Sequence, residues 1–469
     1  MRLVTTLAFL MTLTNAFATE DSVVNDPFKI INKSAAQLRA LPMTATESYV
    51  RTQAVLNYFG VPPETSNNDL ASQFANGQTT ANLQRILAIL DPQAQFARLT
   101  KIENGLLSVF LDRDARTVQD ASIVLNPTQA QYLSSAVDNL NNARRNPSDR
   151  PLMGLKIAID PGHMSTREWD RYTGKFVRDR AGNYVSEGLI ALQTALLVKR
   201  DFEAMGAIVK LTREDHEAVT DVPLRSLDIQ AYGKEALREQ SLQAWFQALV
   251  SQNAVGTRLY NSFSANTKFK ALFRENARYN YFVLREDLMA RVRSFEEFQP
   301  DISFSIHYDS QDPPTNPNGV NTRTYSRVKT YVHGSVAADE WATNIDRRAF
   351  LRHALDTGSW DASFSLATNV VSSLASTLGL RYDQGGGGNS RLVAPGVFSR
   401  NLFLTKSAHG HAHTYIECLH YNDPTEFRAM LRRDYSMVIA GETTYYSSRV
   451  RQVADAIRDG VVNFVTGQN

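Results

Sequence analysis

The spacing of apolar positions changes near residue 150. From Thr19 to about Asn146 they recur at three- and four-residue intervals, as in Tyr49, Val50, Val55 and Tyr58 and again in Tyr132, Leu133, Val137 and Leu140, which predicts helices. A hairpin interrupts them: residues 96–102 and 106–111 flank Glu103-Asn104-Gly105, and Asn-Gly is a strong two-residue turn signal. The polar run Arg144-Arg145-Asn146-Pro147-Ser148-Asp149-Arg150-Pro151 reads as a linker. Residues 19–150 are therefore expected to form a smaller α+β N-terminal region of unassigned role.

Beyond it, strand patterns alternate with helical ones, which predicts a layered α/β domain over residues 151–469. Residues 155–159 and 208–212 read as strands, and Ile302, Phe304 and Ile306 alternate with Ser303, Ser305 and His307 in another. Leu189, Leu192 and Leu196 form an apolar helix face that stops at Gly206. Val450, Val453, Ala454, Ile457, Val461 and Phe464 mark a last helix packed on the sheet. Residues 216–286, mostly helical in pattern and rich in Arg and aromatics, break the alternation as an insertion. The four glycines Gly385 to Gly388 suggest a mobile loop.

At the N-terminus Arg2 precedes an apolar run over residues 3–13, and Ala16-Phe17-Ala18 places small residues where a signal peptidase reads them. Cleavage is expected after Ala18. The run is too short to span about 30 Å of hydrocarbon, and no later stretch reaches the 18 or so residues needed, so no integral membrane segment is expected. Apolar residues make up 43% of the 469 and charged residues 21%, with Lys+Arg at 50 and Asp+Glu at 48. That balance excludes a disordered polyelectrolyte and a strongly basic nucleic-acid binder. The single cysteine, Cys418, excludes an intrachain disulfide and a thiolate zinc cage, which leaves His, Asp and Glu as metal ligands. One cysteine in an exported chain fits a periplasm or bacterial cell envelope better than a disulfide-stapled scaffold. Cys418 itself reads as a small core residue.

Reactive groups of open α/β sheets collect beyond the carboxyl ends of strands. Here the first strand runs into Asp160-Pro161-Gly162-His163, the strand through Ile306 delivers His307-Tyr308-Asp309, and Thr414-Tyr415-Ile416 delivers Glu417. Glu187, in Ser186-Glu187-Gly188, opens the helix after His163. Two histidines and one carboxylate from separate segments make a three-ligand catalytic zinc set with the fourth position left for water, and a further free carboxylate can move the proton. Taken singly, a histidine at a strand end is more often structural, and Glu187 is a favourable charge at a helix N-terminus.

The series Lys156-Ile157-Ala158-Ile159-Asp160-Pro161-Gly162-His163, Glu187 before a helix, Val209-Lys210-Leu211-Thr212-Arg213, Leu288 with Arg291, Asp301-Ile302-Ser303-Phe304-Ser305-Ile306-His307, and Tyr415-Ile416-Glu417 with Asn422 resembles the zinc-dependent N-acetylmuramoyl-L-alanine amidases of the Amidase_3 (AmiA/AmiC-like) family. Gly396-Val397-Phe398-Ser399-Arg400-Asn401-Leu402 and the segment Ala454 to Val461 are similar to its late segments. The resemblance covers about residues 155–465 in order and does not reach the N-terminal region. It implies a three-layer catalytic domain with helices around a mixed, largely parallel sheet. It implies that His163, Glu187 and His307 ligate one zinc per chain and that Glu417 is the catalytic general acid/base. The implied reaction is hydrolysis of the amide between N-acetylmuramic acid and L-alanine of peptidoglycan, in wall remodelling, daughter-cell separation or turnover.

This chain departs from the family pattern in places. Met164-Ser165-Thr166-Arg167-Glu168-Trp169-Asp170 follows His163 where further glycines are usual, so Glu168 or Asp170 is an alternative carboxylate ligand. Leu419-His420-Tyr421 follows Glu417 in place of Gly-Phe. His409, His411 and His413 share one strand face and form a rival metal cluster, or else line the loop entering the Glu417 strand. Asp160 and Asp309 either orient ligand imidazoles or serve as turn and cap residues, and His333 and His353 read as ordinary. Related regulated amidases carry an inserted helix over the zinc, so the 216–286 insertion is a candidate lid for a protein activator, or else a structural wall. A zinc peptidase cutting within the stem peptide, and a non-catalytic wall-binding regulator on an amidase-like fold, are the competing readings.

Overall fold

The computed structural model describes residues 67–467, apart from 227–278 and shorter breaks at 76, 92–93, 95, 111–118, 127–134, 146–148, 280–281, 312–318, 322–323, 337–343 and 357. The expected signal segment, the helical positions Tyr49 to Tyr58, Tyr132 and Leu133, and most of the insertion lie outside the described residues.

Helices α1 (Asn68–Phe74) and α2 (Thr80–Leu90) precede strands β1 (Thr100–Glu103), β2 (Leu106–Phe110) and β3 (Gln119–Val124) and helix α3 (Ser135–Arg145). The three strands form an antiparallel meander. Its first hairpin is shorter than the apolar pattern suggests, because residues 96–98 curl into a 3-10 turn. Glu103 pairs with Leu106, and Asn104 and Gly105 take φ of 50° and 73°, the left-handed pair that a two-residue turn between twisted strands demands. Helix α3 continues through Arg144 and Arg145, so the expected linker is helical at its start. Leu70, Phe74, Leu83, Ile86 and Leu90 belong to one buried cluster with the residues of the main sheet. Arg144 also donates to the Phe464 carbonyl, and Asn139 to Asp301.

The rest of the chain runs through β4 (Lys156–Pro161), α4 (Arg167–Thr173), β5 (Phe176–Arg178), β6 (Tyr184–Ser186), α5 (Glu187–Ala204), β7 (Ile208–Leu211), α6 (Leu288–Phe298), β8 (Ile302–Asp309), β9 (Arg327–Val332), α7 (Asn344–Leu355) and α8 (Ser359–Leu378). It continues with β10 (Arg381–Tyr382), β11 (Arg391–Ala394), β12 (Val397–Ser399), α9 (Phe403–Ser407), β13 (Ala412–His420), α10 (Pro424–Met430), β14 (Tyr435–Ile439), β15 (Glu442–Tyr446) and α11 (Ser448–Thr466). The main sheet has the order β11-β12-β9-β13-β8-β4-β7, with β10 beside β9. Strands β7, β4, β8 and β13 are parallel, while β9 runs against β13 and β11 against β12. This is a mixed, largely parallel eight-stranded sheet. The parallel run puts the ends of β4, β8 and β13 on one edge.

Alternation along these strands separates two chemistries, because successive side chains point to opposite faces. Ile302, Phe304, Ile306 and Tyr308 are at most 1% exposed; Phe304 meets Phe202 of α5, and Thr330 of β9 bonds the Ala367 carbonyl of α8. Helices α5, α8 and α11 thus cover the apolar face. The other face carries Asp160, Ser303, Ser305, His307, His413, Tyr415 and Glu417 in register across β4, β8 and β13, with Lys329 and Tyr331 beside them on β9. Helix α6 covers part of this polar face through Arg291 and Phe295.

Candidate metal centre and active site

The segment Asp160-Pro161-Gly162-His163 turns the chain sharply at the end of β4. Gly162 donates its N–H to the Ile306 carbonyl at 2.9 Å, and His163 takes φ 56°. That conformation is costly for a residue with a side chain and persists where the surroundings over-determine it. Two buried arginines do so. Arg291 on α6 donates to Asp160 Oδ1 and the Pro161 carbonyl at 2.7 Å each, to Asp287 Oδ2 at 2.7 Å and to the His163 carbonyl at 3.1 Å. Arg213, just past β7, donates to the carbonyls of Pro161, Gly162 and Gly188. A planar guanidinium with five donors can hold several carbonyls in one geometry, and here it ties the turn to the start of α5.

Two glycines keep the space clear. A Cβ on Gly162 would lie 2.3–2.5 Å from three ring atoms of His307, and one on Gly188 would lie 1.9 Å from the Met164 carbonyl oxygen. Either added carbon would displace the His307 ring or push α5 away.

Glu187 is the first residue of α5, whose N-terminus is capped by the Ser186 hydroxyl accepting from Leu189 N–H at 3.2 Å. Glu187 Oε1 lies 3.1 Å from His163 Nε2 and 3.2 Å from His307 Nδ1, and those two nitrogens are 3.2 Å apart. The three donors form a nearly equilateral triangle. Zinc bound tetrahedrally at about 2.0–2.1 Å from each donor requires donors roughly 3.3 Å apart. The donor types and their spacing therefore fit a zinc ion with its fourth position open.

Protonation favours the same use. Burial pushes His163 down to about 3, leaving its imidazole neutral near pH 7. Burial alone would raise Glu187, but the neighbouring His163 and the Lys175 ammonium, 3.9 Å from Oε2, hold it well below the usual carboxylate range. A neutral imidazole and an ionised carboxylate are the ligating forms. The His307 ring is fixed by stacking on Tyr415 at 4.3 Å between centroids.

Glu417 stands opposite His307 in the register of β13 with β8, and opposite Lys329 in that of β13 with β9. The residue is partly exposed, yet its Oε2 is shielded and has no hydrogen-bond partner. Burial first, then the negative charges of Asp309 and Glu187, push its carboxyl well above the usual range, while Lys329 pulls the other way. Burial and the neighbouring negative charges thus favour the protonated form of this carboxyl.

The other candidates are placed elsewhere. Asp160 and Asp309 do not hydrogen-bond the His163 and His307 imidazoles, because each faces a stronger donor. Asp160 accepts from Arg291 and from Thr212 at 2.6 Å; Asp309 lies 2.5 Å from Lys329 Nζ and 3.3 Å from His420 Nε2. Asp309, Asp383 and His420 are a second close set of donors, but the Lys329 ammonium already occupies it as the cation, 2.8 Å from Asp383. Glu168 accepts from the Tyr279 hydroxyl and Asp170 from the Tyr184 hydroxyl, so neither joins the triangle. His409, His411 and His413 do not converge on a common point. His411 Nε2 and His413 Nδ1 each bond the Ser303 hydroxyl at 2.7 Å, and His409 faces Arg352. His333 and His353 stack at 4.2 Å, and Cys418 is fully buried. The loop at Gly385 to Gly388 is pinned where a mobile one was expected, since Lys329 donates to the Gly385 carbonyl and the Tyr331 hydroxyl to that of Gly386.

Lys175, Lys329, Asp383 and His420 border the site and carry no recognisable motif. Lys329 was findable in principle, because Lys329 and Tyr331 alternate with Val328, Thr330 and Val332 in a strand whose polar face meets the Glu417 strand.

No sequence family model matches this chain, and no curated protein matches it. Among solved structures, the CwlD amidase from Clostridioides difficile, in complex with the GerS lipoprotein, is 13% identical, with 67% of this chain and 100% of that one covered at a TM-score of 0.37. The N-acetylmuramyl-L-alanine amidase Ami1 from Mycobacterium smegmatis is 14% identical over 68% and 99% at 0.35. The N-acetylmuramoyl-L-alanine amidase AmiC2 of Nostoc punctiforme is 13% identical over 66% and 96% at 0.34.

Proposed function

We propose that this chain is an exported, zinc-dependent peptidoglycan hydrolase that cleaves the amide between N-acetylmuramic acid and L-alanine of the stem peptide. The observation that carries the catalytic part is the triangle of His163 Nε2, Glu187 Oε1 and His307 Nδ1 at 3.1–3.2 Å, with the unpartnered carboxyl of Glu417 on the neighbouring strand. The substrate class rests on the ordered motif series from Lys156 to Asn422.

Bound at the triangle, zinc would supply Lewis acidity toward the scissile carbonyl and lower the pKa of water there. Glu417 takes a proton from the attacking water and returns it to the leaving amine nitrogen, so one carboxyl serves as base and then as acid. Arg291 and Arg213 hold His163 in its strained turn. Tyr415 keeps the His307 ring from rotating. The proposed export fits the segment Arg2 to Ala18, and among the described residues no helix is long and apolar enough to cross a membrane.

The insertion is proposed to regulate access through a protein partner. Its described flanks adjoin the site: His216 bonds Ser165, Val219 N–H donates to Asp287, and Tyr279 and Phe282 pack with Met164 and Trp169. The activity test is mass spectrometry of muropeptides from purified sacculi incubated with the protein, with and without a chelator. Intact glycan strands with a newly exposed L-alanine amino group are expected. Glu417→Ala should retain zinc and lose roughly 10²–10⁴ in rate. Release of fragments cut inside the stem peptide, or a purified protein that takes up no zinc, would contradict the proposal.

A further inference from the structure

The chain between His163 and Glu187 folds into a short hairpin that ends on the donor triangle. Strands β5 and β6 pair Phe176 with Ser186, Val177 with Val185 and Arg178 with Tyr184. Asp179 closes the turn by accepting from Asn183 N–H at 2.8 Å. The hairpin is fastened to the body of the protein: Val177 and Val185 are buried in the main core, Phe176 stacks on Tyr184 at 5.2 Å, and the Tyr184 hydroxyl donates to Asp170 at 2.6 Å. One step beyond the last strand pair, Glu187 N–H donates to the Lys175 carbonyl at 3.0 Å. That bond continues the register and sets Lys175 opposite Glu187, an arrangement in which opposite charges on adjacent strands attract.

The two carboxylate oxygens of Glu187 face different partners. Oε1 is the donor atom of the triangle, 3.1 Å from His163 Nε2 and 3.2 Å from His307 Nδ1, and the Tyr308 N–H reaches the same oxygen at 3.4 Å. Oε2 accepts no hydrogen bond among the described residues, where its one ion-pair partner is the Lys175 ammonium at 3.9 Å. Lys175, half-exposed, has no other acidic partner among them. A carboxylate can hold a metal through one oxygen or through both. Bound through both, it would crowd the fourth position that a hydrolytic zinc site keeps for water. To do so here, Oε2 would have to leave an ammonium that the hairpin holds beside it.

We propose that Lys175 is a positioning residue that keeps Glu187 ligating through Oε1 alone, so that the fourth position at the triangle stays open to water and substrate. This rests on the zinc reading of the triangle and not on the identity of the substrate. An action of Lys175 through its charge alone makes the opposite prediction. An ammonium near the triangle repels zinc, so removing it would tighten zinc binding and leave the ligation unchanged.

The test uses the protein loaded with zinc or with cobalt(II), which takes the same donor types and has visible d–d bands. Four-coordinate tetrahedral cobalt has no centre of symmetry and absorbs strongly; five-coordinate cobalt absorbs more weakly. Wild type should show the strong spectrum. Lys175→Met should show the weaker one, with kcat on muropeptides lower by roughly 10- to 100-fold and KM little changed. Lys175→Arg, which returns a cation to Oε2, should recover both. The wild-type spectrum and kcat in Lys175→Met would overturn the proposal, with or without tighter zinc binding. A raised KM at unchanged kcat would overturn it in favour of a substrate contact. The spectroscopic arm is independent of hydrolysis: the expected pair of spectra in a protein that cleaves no muropeptide supports the role of Lys175 and sinks the amidase reading alone. A wild type that takes up neither metal overturns the zinc reading and the role of Lys175 together.

Discussion

His353 gives a quantitative test of how the histidine-rich back of the sheet behaves in acid. The ring is 6% exposed, stacks on His333 at 4.2 Å and lies 3.1 Å from the Lys406 carbonyl through Nε2. Burial pushes it down to about 4, the adjacent Arg352 charge adds to that, and the bonds to the carbonyls of Lys406 and Thr405 oppose it. The unfolded ring titrates near 6.5. A group whose folded pKa is depressed contributes full stability above its unfolded value and loses it as pH falls from there toward the folded value. At pH 7.5 the ring is neutral in both states. At pH 5.0 the unfolded ring is protonated and the folded one largely is not, so the fold loses about 1.5 pH units at 1.36 kcal/mol each, or about 2 kcal/mol. His353→Phe fills similar space and cannot titrate. Its loss of the carbonyl bond weighs equally at both pH values and cancels. Urea unfolding of wild type and variant at pH 7.5, 6.0 and 5.0, in chelator, should show their stability difference moving by about 2 kcal/mol in favour of the variant at pH 5.0. Parallel pH profiles would refute the reasoning. Burial also holds His411 at about 4 and His413 at about 3. Acid destabilisation should therefore begin just below pH 6.5, partly offset by Asp356, which burial raises to about 6.

Two further outcomes follow from the site. Gly162→Ala places a carbon 2.3–2.5 Å from the His307 ring, so the ring must shift. Zinc affinity, measured by competition with a chromophoric chelator, should fall by roughly 10–100-fold as for other lost supports of metal ligands, while Ser165→Ala on the same loop should not reproduce the loss. Asp170 is raised to about 7, chiefly by burial, with the Tyr184 hydroxyl bond opposing. The charged form is the disfavoured one in the fold, so stability is present below the unfolded value near 4 and is lost as pH rises toward 7. In the chelated protein Asp170→Asn should be more stable than wild type by about 3–4 kcal/mol at pH 8, with the gain gone below pH 4; denaturant midpoints at the two pH values check this.

The fold was legible where periodicity and turn chemistry agreed. The run 155–159, the helix ending at Gly206 and the final helix through Val450 and Phe464 stand within one or two residues of their expected bounds. Asn104-Gly105 located the hairpin because only residues tolerant of left-handed φ fit that turn. The edge strands β10, β11 and β12 were not found. They are two to four residues long, too short for a period of two to be distinguishable from chance, and they exist because β9 offers them a template. The glycines Gly385 to Gly388 looked like a free loop for a related reason: backbone carbonyls accepting from Lys329 and Tyr331 leave no mark on the composition of the loop that supplies them.

The site divides in the same way. His163, His307 and Glu417 were visible because each lies at or near the carboxyl end of a strand, and strand ends of a parallel sheet converge. Arg213 and Arg291 stood in the motif series, but what they hold was not visible, because the residues they join are far apart in sequence and meet only once the sheet exists. Arg291 reaches the Asp160 turn from 131 residues away and Arg213 reaches Pro161 from 52. Sequence alone ranks such arginines as surface charges, since buried guanidinium groups are rare. Their burial is explained by the turn they fasten. A left-handed histidine beside exposed carbonyls needs donors that water would otherwise supply, and water in that position would compete for the same donor triangle that fits zinc. Replacing water by two guanidinium forks keeps the triangle rigid on one side and open on the other, where His163 remains 19% exposed in its side chain while Glu187 and His307 are at 5% and 8%. That asymmetry, closed behind and open in front, is the one expected of the proposed hydrolytic zinc site and not of a structural one.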